Sequence, residues 1–110
     1  MPLLAGMFRR LRRLQAFEHQ YLSFIQSPLD SVLIAEVGFH EQQGRPLTIK
    51  GLLLLKLGAP ATVHRRLQRL VGLGVVHKRP VSHDRRICHL EIDPAVRATY
   101  ARYLKLISRL

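Results

Sequence analysis

Apolar residues recur every three or four positions near the start of the chain, the spacing that places them on one face of an α-helix. Together they predict a first helix over roughly residues 3–25. The segment SPLD at residues 27–30 follows, with an N-cap serine, a proline at the first helical position and an acid three residues after the cap. It predicts a second helix from there to about Gln42. The periodic apolar residues of the first helix are Met7, Leu11, Leu14, Phe17, Tyr21 and Phe24.

A short third helix is predicted next. Thr48 is suited to cap it, and the four consecutive leucines at residues 52–55 predict burial on more than one side. The tripeptide GAP at residues 58–60 breaks this helix, and Pro60 is suited to the first turn of a further one. Gly72 or Gly74 can end that fourth helix in the left-handed conformation.

The fourth helix, about residues 60–72, has two chemically different sides. Four aliphatic residues, Val63, Leu67, Leu70 and Val71, fall within one quadrant of a helical wheel, so that quadrant must face a core. Polar and cationic residues project the other way, with His64 and Arg66 on the two flanks. The members of this second group are Ala61, Thr62, Arg65, Gln68 and Arg69.

Two strands and a last helix complete the chain. Residues 75–79 and 87–92 predict strands, and the second strand alternates Cys88, Leu90 and Ile92 against Ile87, His89 and Glu91. Residues 80–85 then form a polar hairpin tip. Asp93 and Pro94 open a final helix, whose apolar side carries Val96, Tyr100, Leu104 and Ile107.

This order of elements predicts a mainly α-helical fold with a small β-hairpin, the winged helix-turn-helix. We expect one structural domain made of an N-terminal dimerisation helix (1–27), a DNA-binding core (28–93) and a C-terminal dimerisation helix (94–110). A winged core of this size cannot cover the apolar stripes of both terminal helices, so we expect a homodimer. Its predicted interface residues are Leu11, Leu14, Phe17, Tyr21, Tyr100, Leu104 and Ile107.

Charge narrows the class of partner. The 110-residue chain carries a formal net charge of +11, with a pI near 11.3. The net charge is +3 over residues 1–27, zero over 28–57, and +4 over each of 58–93 and 94–110. This uneven distribution favours a surface that faces a polyanion, and nucleic acid is a better candidate than an acidic membrane surface.

Composition also argues against several classes of protein. No apolar run approaches the length that spans a bilayer, and the single cysteine, Cys88, is compatible with a reducing cytoplasm. No metal-ligand spacing, phosphate-binding loop or nucleophile motif occurs, so we assign no catalytic, cofactor or metal residue. Two alternatives stay open: a basic RNA-binding or ribosome-associated protein, and a winged helix that binds proteins. No aromatic residue lies in the basic helix or the hairpin, which favours duplex DNA over single strands.

Residues 46–92 resemble the winged-helix core of the MarR family of bacterial transcription regulators. The resemblance rests on PATVHRRLQRL for the recognition helix, GLGVVHKR for its end and the first wing strand, and DRR followed by HLEI for the wing. It implies a dimeric DNA-binding regulator in the cytoplasm, associated with the nucleoid. It also implies that Asp84 orients the wing and that Arg86 enters the minor groove. The chain is short for such a regulator, so control by a small-molecule effector, by a protein effector or by neither stays open.

The predicted function is therefore sequence-specific binding of duplex DNA. The helix at about residues 60–72 would occupy the major groove, and the wing at about residues 80–86 would meet the minor groove. The predicted DNA-binding residues are Ala61, Thr62, His64, Arg65, Arg66, Gln68, Arg69, Lys78, Arg79, Arg85 and Arg86.

Overall fold

The computed structural model describes residues 5–81 and 83–109. Over these residues the chain forms five helices and a two-stranded antiparallel hairpin. The helices Met7–Tyr21 (α1) and Pro94–Ser108 (α5) lie in one compact unit, and we call them the terminal helix pair. Residues Phe24–Asp93 form a second compact unit, the winged-helix unit. In chain order the elements are α1 (Met7–Tyr21), α2 (Pro28–Gln42), α3 (Ile49–Leu54), α4 (Pro60–Gly72), β1 (Val76–Val81), β2 (Asp84–Ile92) and α5 (Pro94–Ser108).

The core of the winged-helix unit is built from one side chain or a few of each element. Burying a leucine or valine completely contributes about 1.5–3 kcal/mol, so these residues fix how the helices and the hairpin pack. The short α3 contributes Leu52 to this core. Helix α4 contributes three residues of the predicted quadrant, Val63, Leu67 and Leu70. The completely or almost completely buried aliphatic residues are Leu33, Val37, Leu52, Val63, Leu67, Leu70, Val76 and Leu90.

Local capping signals place three helix ends where the sequence predicts them. The Asp30 carboxylate accepts hydrogen bonds from the backbone N–H of Ser27 (3.1 Å) and of Gln26 (2.8 Å). Thr48 Oγ1 accepts from Gly51 N at 3.0 Å and caps α3. At the end of α4, Gly74 adopts φ +76° and is the glycine that ends the helix. The hydrogen bonds to Asp30 and Thr48 satisfy backbone N–H groups that the start of a helix otherwise leaves unpaired.

The hairpin is longer than the sequence predicts. Val76 pairs with Ile92 and Pro80 with Cys88, and a register shift after Pro80 brings Val81 opposite Asp84. Both strands therefore extend into the predicted tip. Leu90 and Ile92 are buried as the alternation predicts, whereas Cys88 is only half-buried.

The segment before α3 also joins the hairpin. Leu90 N donates to the carbonyl oxygen of Leu47 at 2.8 Å, so the backbone before α3 is tied to β2. The spacing of apolar residues carried no signal for this pairing, because it joins segments that are more than forty residues apart.

Aromatic contacts join the two helices of the terminal helix pair. The Phe17 ring centroid lies 5.4 Å from that of Tyr103 and 4.8 Å from that of Tyr21. The Tyr103 hydroxyl donates to Glu18 Oε2 at 2.7 Å, and the Arg102 guanidinium lies 4.5 Å from the Tyr21 ring centroid. Burial, together with the hydrogen bond to Glu18, raises the pKa of Tyr103 to about 12. Tyr103 therefore remains a neutral hydrogen-bond donor at physiological pH.

Two expectations about helices were wrong. The first helix ends at Tyr21 rather than near residue 25, because the chain turns there and leaves the Phe24 carbonyl to accept a hydrogen bond from Arg69 (2.8 Å). The predicted start at residues 3 and 4 lies outside the described residues. In α3 only Leu52 is completely buried, and Leu54 is 67% exposed, because a six-residue helix turns a single side toward the core.

Gly74→Ala should lower the free energy of unfolding by about 1–2 kcal/mol, because an L-residue is strained at φ +76°. A Cβ at position 74 would meet no atom within 4 Å, so the loss would come from the backbone alone. The matched control is Gly72→Ala, which also meets no atom but lies inside α4, where alanine is favoured over glycine. Urea unfolding of both variants measures the difference. If both variants changed the free energy of unfolding equally, the left-handed conformation of residue 74 would have no special effect on stability.

Candidate nucleic-acid interface

Helix α4 is held rigidly at both ends. Pro60 occupies its first position, and Val63, Leu67 and Leu70 anchor its inner side. At the other end, Gly74 N donates to Val71 O and Val75 N donates to Leu70 O, both at 3.0 Å. These two bonds form a Schellman motif, which satisfies the last carbonyls of the helix. The outward side chains of α4 therefore extend from a fixed backbone.

The outward side of α4 carries four of the predicted DNA-binding residues. Ala61, His64 and Arg65 are exposed, and Gln68 is half-buried. Gln68 Nε2 lies 3.4 Å from His64 Nε2, one helical turn away. Among the described residues, Arg65 has no carboxylate within ion-pair distance. This side offers hydrogen-bond donors and an uncompensated positive charge to solvent.

A buried ion cluster fixes one flank of α4. Asp30, at the start of α2, has no solvent exposure. Its Oδ1 accepts from Arg66 Nε at 2.9 Å and its Oδ2 from Arg66 Nη2 at 2.5 Å. Arg69 Nη1 lies 3.4 Å from the same Oδ2 and donates to the Phe24 carbonyl at 2.8 Å. Two arginines of α4 thus bind the first turn of α2 and the segment before it.

The position of Arg69 corrects the prediction from the helical wheel. The sequence placed it among residues that point away from the core, whereas the structure turns it, together with Arg66, toward Asp30. The physical reason is the buried carboxylate, which attracts both guanidinium groups to one flank. Thr62, placed in the same outward group, is half-buried. Of the three arginines on α4, only Arg65 projects freely.

The ionisation of Asp30 is decided by opposing effects. Burial raises the pKa of this carboxyl group, but the Arg66 hydrogen bonds, the backbone N–H groups of Gln26 and Ser27 and the Arg66 charge lower it by more. The net result is a pKa below the usual 3.8. Asp30 is therefore an anion at neutral pH and holds both arginines as counterions.

The hairpin carries the second group of predicted residues. Lys78, Arg85 and Arg86 are exposed, and Arg79 Nη2 lies 3.0 Å from Glu91 Oε2. Asp84 Oδ1 accepts from Arg86 N (2.9 Å) and Nε (3.1 Å), and Oδ2 accepts from Nη2 (3.2 Å). Hydrogen bonds from the side chain and backbone of Arg86 lower the pKa of Asp84. The acid therefore contacts both the backbone and the side chain of Arg86, although the Arg86 side chain is 91% exposed.

Sequence reasoning missed two contacts between polar side chains. Asp30 was identified as a helix-capping acid, and nothing in its spacing from Arg66 and Arg69 indicates that they meet. His77 Nε2 lies 2.8 Å from Asp93 Oδ1, which ties the start of β1 to the end of β2. A histidine five residues after the end of a basic helix gives no signal for such a partner.

The predicted interface residues of the dimer all lie in the terminal helix pair. Leu11, Tyr21, Leu104 and Ile107 are exposed by 39–62%. Leu14, Phe17 and Tyr100 are half-buried, and Phe17 and Tyr21 already contact Arg102 of the same chain. The described parts of α1 and α5 contain no completely buried side chain.

The described residues contain neither a metal-binding cluster nor a helix able to cross a membrane. Over residues 5–81 and 83–109, no group of three or more histidine, cysteine, aspartate or glutamate side chains is arranged to hold a metal ion. Within the same ranges, no helix combines the length and hydropathy needed to cross a membrane.

Comparison with solved structures identifies the fold. The chain is similar to S. aureus MepR in a complex with DNA (TM-score 0.69, 11% identity, covering 99% of this chain and 85% of that one). It is similar to a transcriptional regulator from Thermotoga maritima (0.64, 17%, 98% and 74%). It is also similar to a mutant of E. coli MarR in a complex with operator DNA (0.58, 18%, 97% and 74%). No protein-family model and no curated protein matches the chain.

These similarities confirm the predicted fold class. The chain has the winged helix-turn-helix fold seen in MarR and MepR, with five described helices and one antiparallel hairpin. In that fold α4 corresponds to the predicted recognition helix and the β1–β2 hairpin to the wing.

Asp30→Asn should lower the free energy of unfolding by about 3 kcal/mol, because it leaves two arginines beside a neutral group. In the unaltered protein, the stabilisation from Asp30 is complete above its unfolded pKa and is lost as pH falls through its lower folded pKa. The free energy of unfolding of the Asp30→Asn variant should not show this decrease at acid pH. Urea unfolding between neutral and acid pH measures both effects.

Glu91→Gln is the control, since it removes an acid whose partner, the Arg79 side chain, is 72% exposed, and it should cost less than about 1 kcal/mol. If both variants lost equal stability, the Asp30 cluster would have no special structural role.

Proposed function

We propose that this protein is a sequence-specific transcription regulator that binds duplex DNA as a homodimer. The observation that carries the proposal is the outward side of α4, where exposed His64 and Arg65 and half-buried Gln68 extend from a helix fixed at both ends. An α-helix of this kind fits the major groove, which is about 12 Å wide. Because the ligand is DNA, we place the protein in the cytoplasm, with the nucleoid.

Arg65 has the main part in reading bases in this proposal. A guanidinium can donate two parallel hydrogen bonds to the O6 and N7 atoms of guanine, the commonest specific contact in the major groove. Arg66 and Arg69 have a different role: by binding Asp30 they set the angle at which α4 leaves the protein surface. Thr62, near the start of the helix, would contact phosphate.

The wing contributes a second, less selective contact. Arg86 would enter the minor groove, where side chains distinguish A·T from G·C pairs and respond to groove width. Asp84 holds this arginine through its side chain and its backbone N–H, so the wing is partly organised before DNA binds. Lys78, Arg79 and Arg85 add phosphate contacts. Structures with this fold that contain DNA, those of MepR and MarR, support the assignment.

The homodimer is supported by the incomplete packing of the terminal helix pair. Two helices of 15 residues each leave no side chain completely buried among those described. Leu104, at 62% exposure, and Leu11, at 45%, are large apolar residues without cover. A second copy that brings the same helices around a two-fold axis would bury these residues on both chains.

Arg65→Ala should weaken binding to a preferred duplex by about 1–3 kcal/mol and reduce discrimination between sequences. Arg86→Ala should weaken binding to all duplexes by similar factors, except where the minor groove is narrow. A site selected from a random duplex library supplies the preferred sequence, and fluorescence anisotropy measures its affinity against a scrambled duplex.

Arg45→Ala is the control for this measurement, because it removes the same charge from an exposed loop outside α4 and the hairpin. If Arg45→Ala lowered affinity and sequence discrimination as much as Arg65→Ala does, α4 would not be the element that recognises the base sequence. Duplex RNA and single-stranded DNA are the competing ligands. Tighter binding to either of them would replace the proposal with an RNA-binding or single-strand function.

Leu104→Glu should dissociate the dimer, because it places a charge on an apolar surface that the second copy covers. The side chain is 62% exposed, so the fold of one protomer should tolerate the change. Leu54→Glu is a matched control in the winged-helix unit, at 67% exposure. Sedimentation equilibrium at micromolar concentration compares the two variants. A stable dimer of Leu104→Glu, or a monomeric unaltered protein, would contradict the proposed interface.

A further inference from the structure

The terminal helix pair is more basic than its proposed role in dimerisation requires. Helices α1 and α5 hold seven cationic side chains against one carboxylate, Glu18, which accepts the Tyr103 hydroxyl. The winged-helix unit, Phe24–Asp93, holds ten cationic side chains against six acids. Net charge is therefore +6 over the 30 residues of the helix pair and only +4 over the 70 residues of the unit that carries α4 and the wing.

Arginines of α1 concentrate this charge on one side of the helix. Arg9, Arg12 and Arg13 are three and four residues apart, so they share one side, opposite Leu11 and Leu14. All three are exposed, and none has a carboxylate within ion-pair distance among the described residues. We call these three residues the α1 arginine face.

The α1 arginine face costs helix stability in two ways. Like charges at spacings of three and four residues repel each other. Arginines near the N-terminus of a helix also oppose its dipole, and the first turn of α1 contains no acid to compensate. A coat that only keeps a protein soluble mixes charges of both signs. An anionic partner that neutralises this face would remove both costs.

The chemistry of the face fits phosphate. Every cation on α1 apart from His19 is an arginine, whose planar guanidinium can donate two hydrogen bonds to one phosphate. The four residue steps from Arg9 to Arg13 rise about 6 Å along the helix axis, similar to the rise of about two phosphates on one DNA strand. A membrane surface fits less well, because the apolar side of α1 packs against α5 through Phe17 and Tyr103.

We propose that the α1 arginine face is a second DNA-binding surface, which contacts phosphates of duplex DNA independently of base sequence. The inference rests on the proposed function for the choice of duplex DNA as the partner. It assigns to the helix pair a role in affinity, whereas α4 supplies specificity. The surface would bind phosphates that α4 and the wing leave free, on the same duplex or on a second one.

The experiment measures the salt dependence of binding to a mixed-sequence duplex of about 60 base pairs, since each phosphate contact contributes about −0.9 to the slope of log affinity against log salt. The test variant is Arg9→Gln with Arg12→Gln and Arg13→Gln. If each protomer of a dimer loses about two phosphate contacts, the slope should become less steep by about 3 to 4.

The matched control replaces the same three arginines with lysine. Because it keeps the charge, it should retain the slope of the unaltered protein, and sedimentation should show the same oligomeric state for both variants. An unchanged slope in the glutamine variant overturns the inference. A glutamine variant that instead loses binding to phosphatidylglycerol vesicles, with its DNA slope unchanged, would assign the face to a membrane and also overturn it.

Arg65→Ala, measured beside these variants, separates the two proposals. If Arg65→Ala weakens binding and the glutamine variant does not, the α1 arginine face fails and the proposed function stands. If only the glutamine variant weakens binding, the helix pair binds DNA and the proposed role of α4 fails. If the unaltered protein binds no duplex even at low salt, both proposals fail.

Discussion

The buried carboxylate of Asp30 is the constraint on which the geometry of the candidate interface depends. One anion with no solvent exposure holds Arg66 through two hydrogen bonds and approaches Arg69 at 3.4 Å. Removing a charge from water is costly, so such a carboxylate is stable only where several donors surround it. Two backbone N–H groups and two guanidinium groups meet that requirement. The cluster stays intact only while α4 keeps its position beside the first turn of α2.

This constraint gives the arginines of α4 different functions. Arg65, Arg66 and Arg69 lie within five residues, and nothing in their identity distinguishes an arginine that binds the protein from one that binds a ligand. Their direction from the helix decides: Arg66 and Arg69 point toward the buried acid, whereas Arg65 points to solvent. Internal neutralisation also reduces repulsion between neighbouring cations on the helix. The outward side of α4 therefore carries less uncompensated charge than the sequence indicates, and the ion cluster fixes its position.

Local signals allowed most of the fold to be predicted from the sequence. Thr48, Pro60 and the residues SPLD act within one helical turn, so their effects can be recognised without knowing the fold. The contacts that were missed join distant segments: Asp30 to Arg66, Leu47 to Leu90 and His77 to Asp93. Spacing along the chain carries no information about such partners. For the same reason the helical wheel separated the core side of α4 from its polar residues. It could not separate the polar residues that bind Asp30 from those that face solvent.

In the proposed function, the charge of the chain affects both dimerisation and DNA binding. Each protomer carries +11, so two copies that meet through α1 and α5 bring like charges together, and the apolar contact must outweigh that repulsion. Salt screens the repulsion and favours the dimer, yet it weakens every phosphate contact. DNA neutralises the same charges without added salt. In the proposed complex, a duplex that offers paired sites to two protomers would couple binding to dimerisation, and the basic helix pair would make the assembled form most stable on DNA.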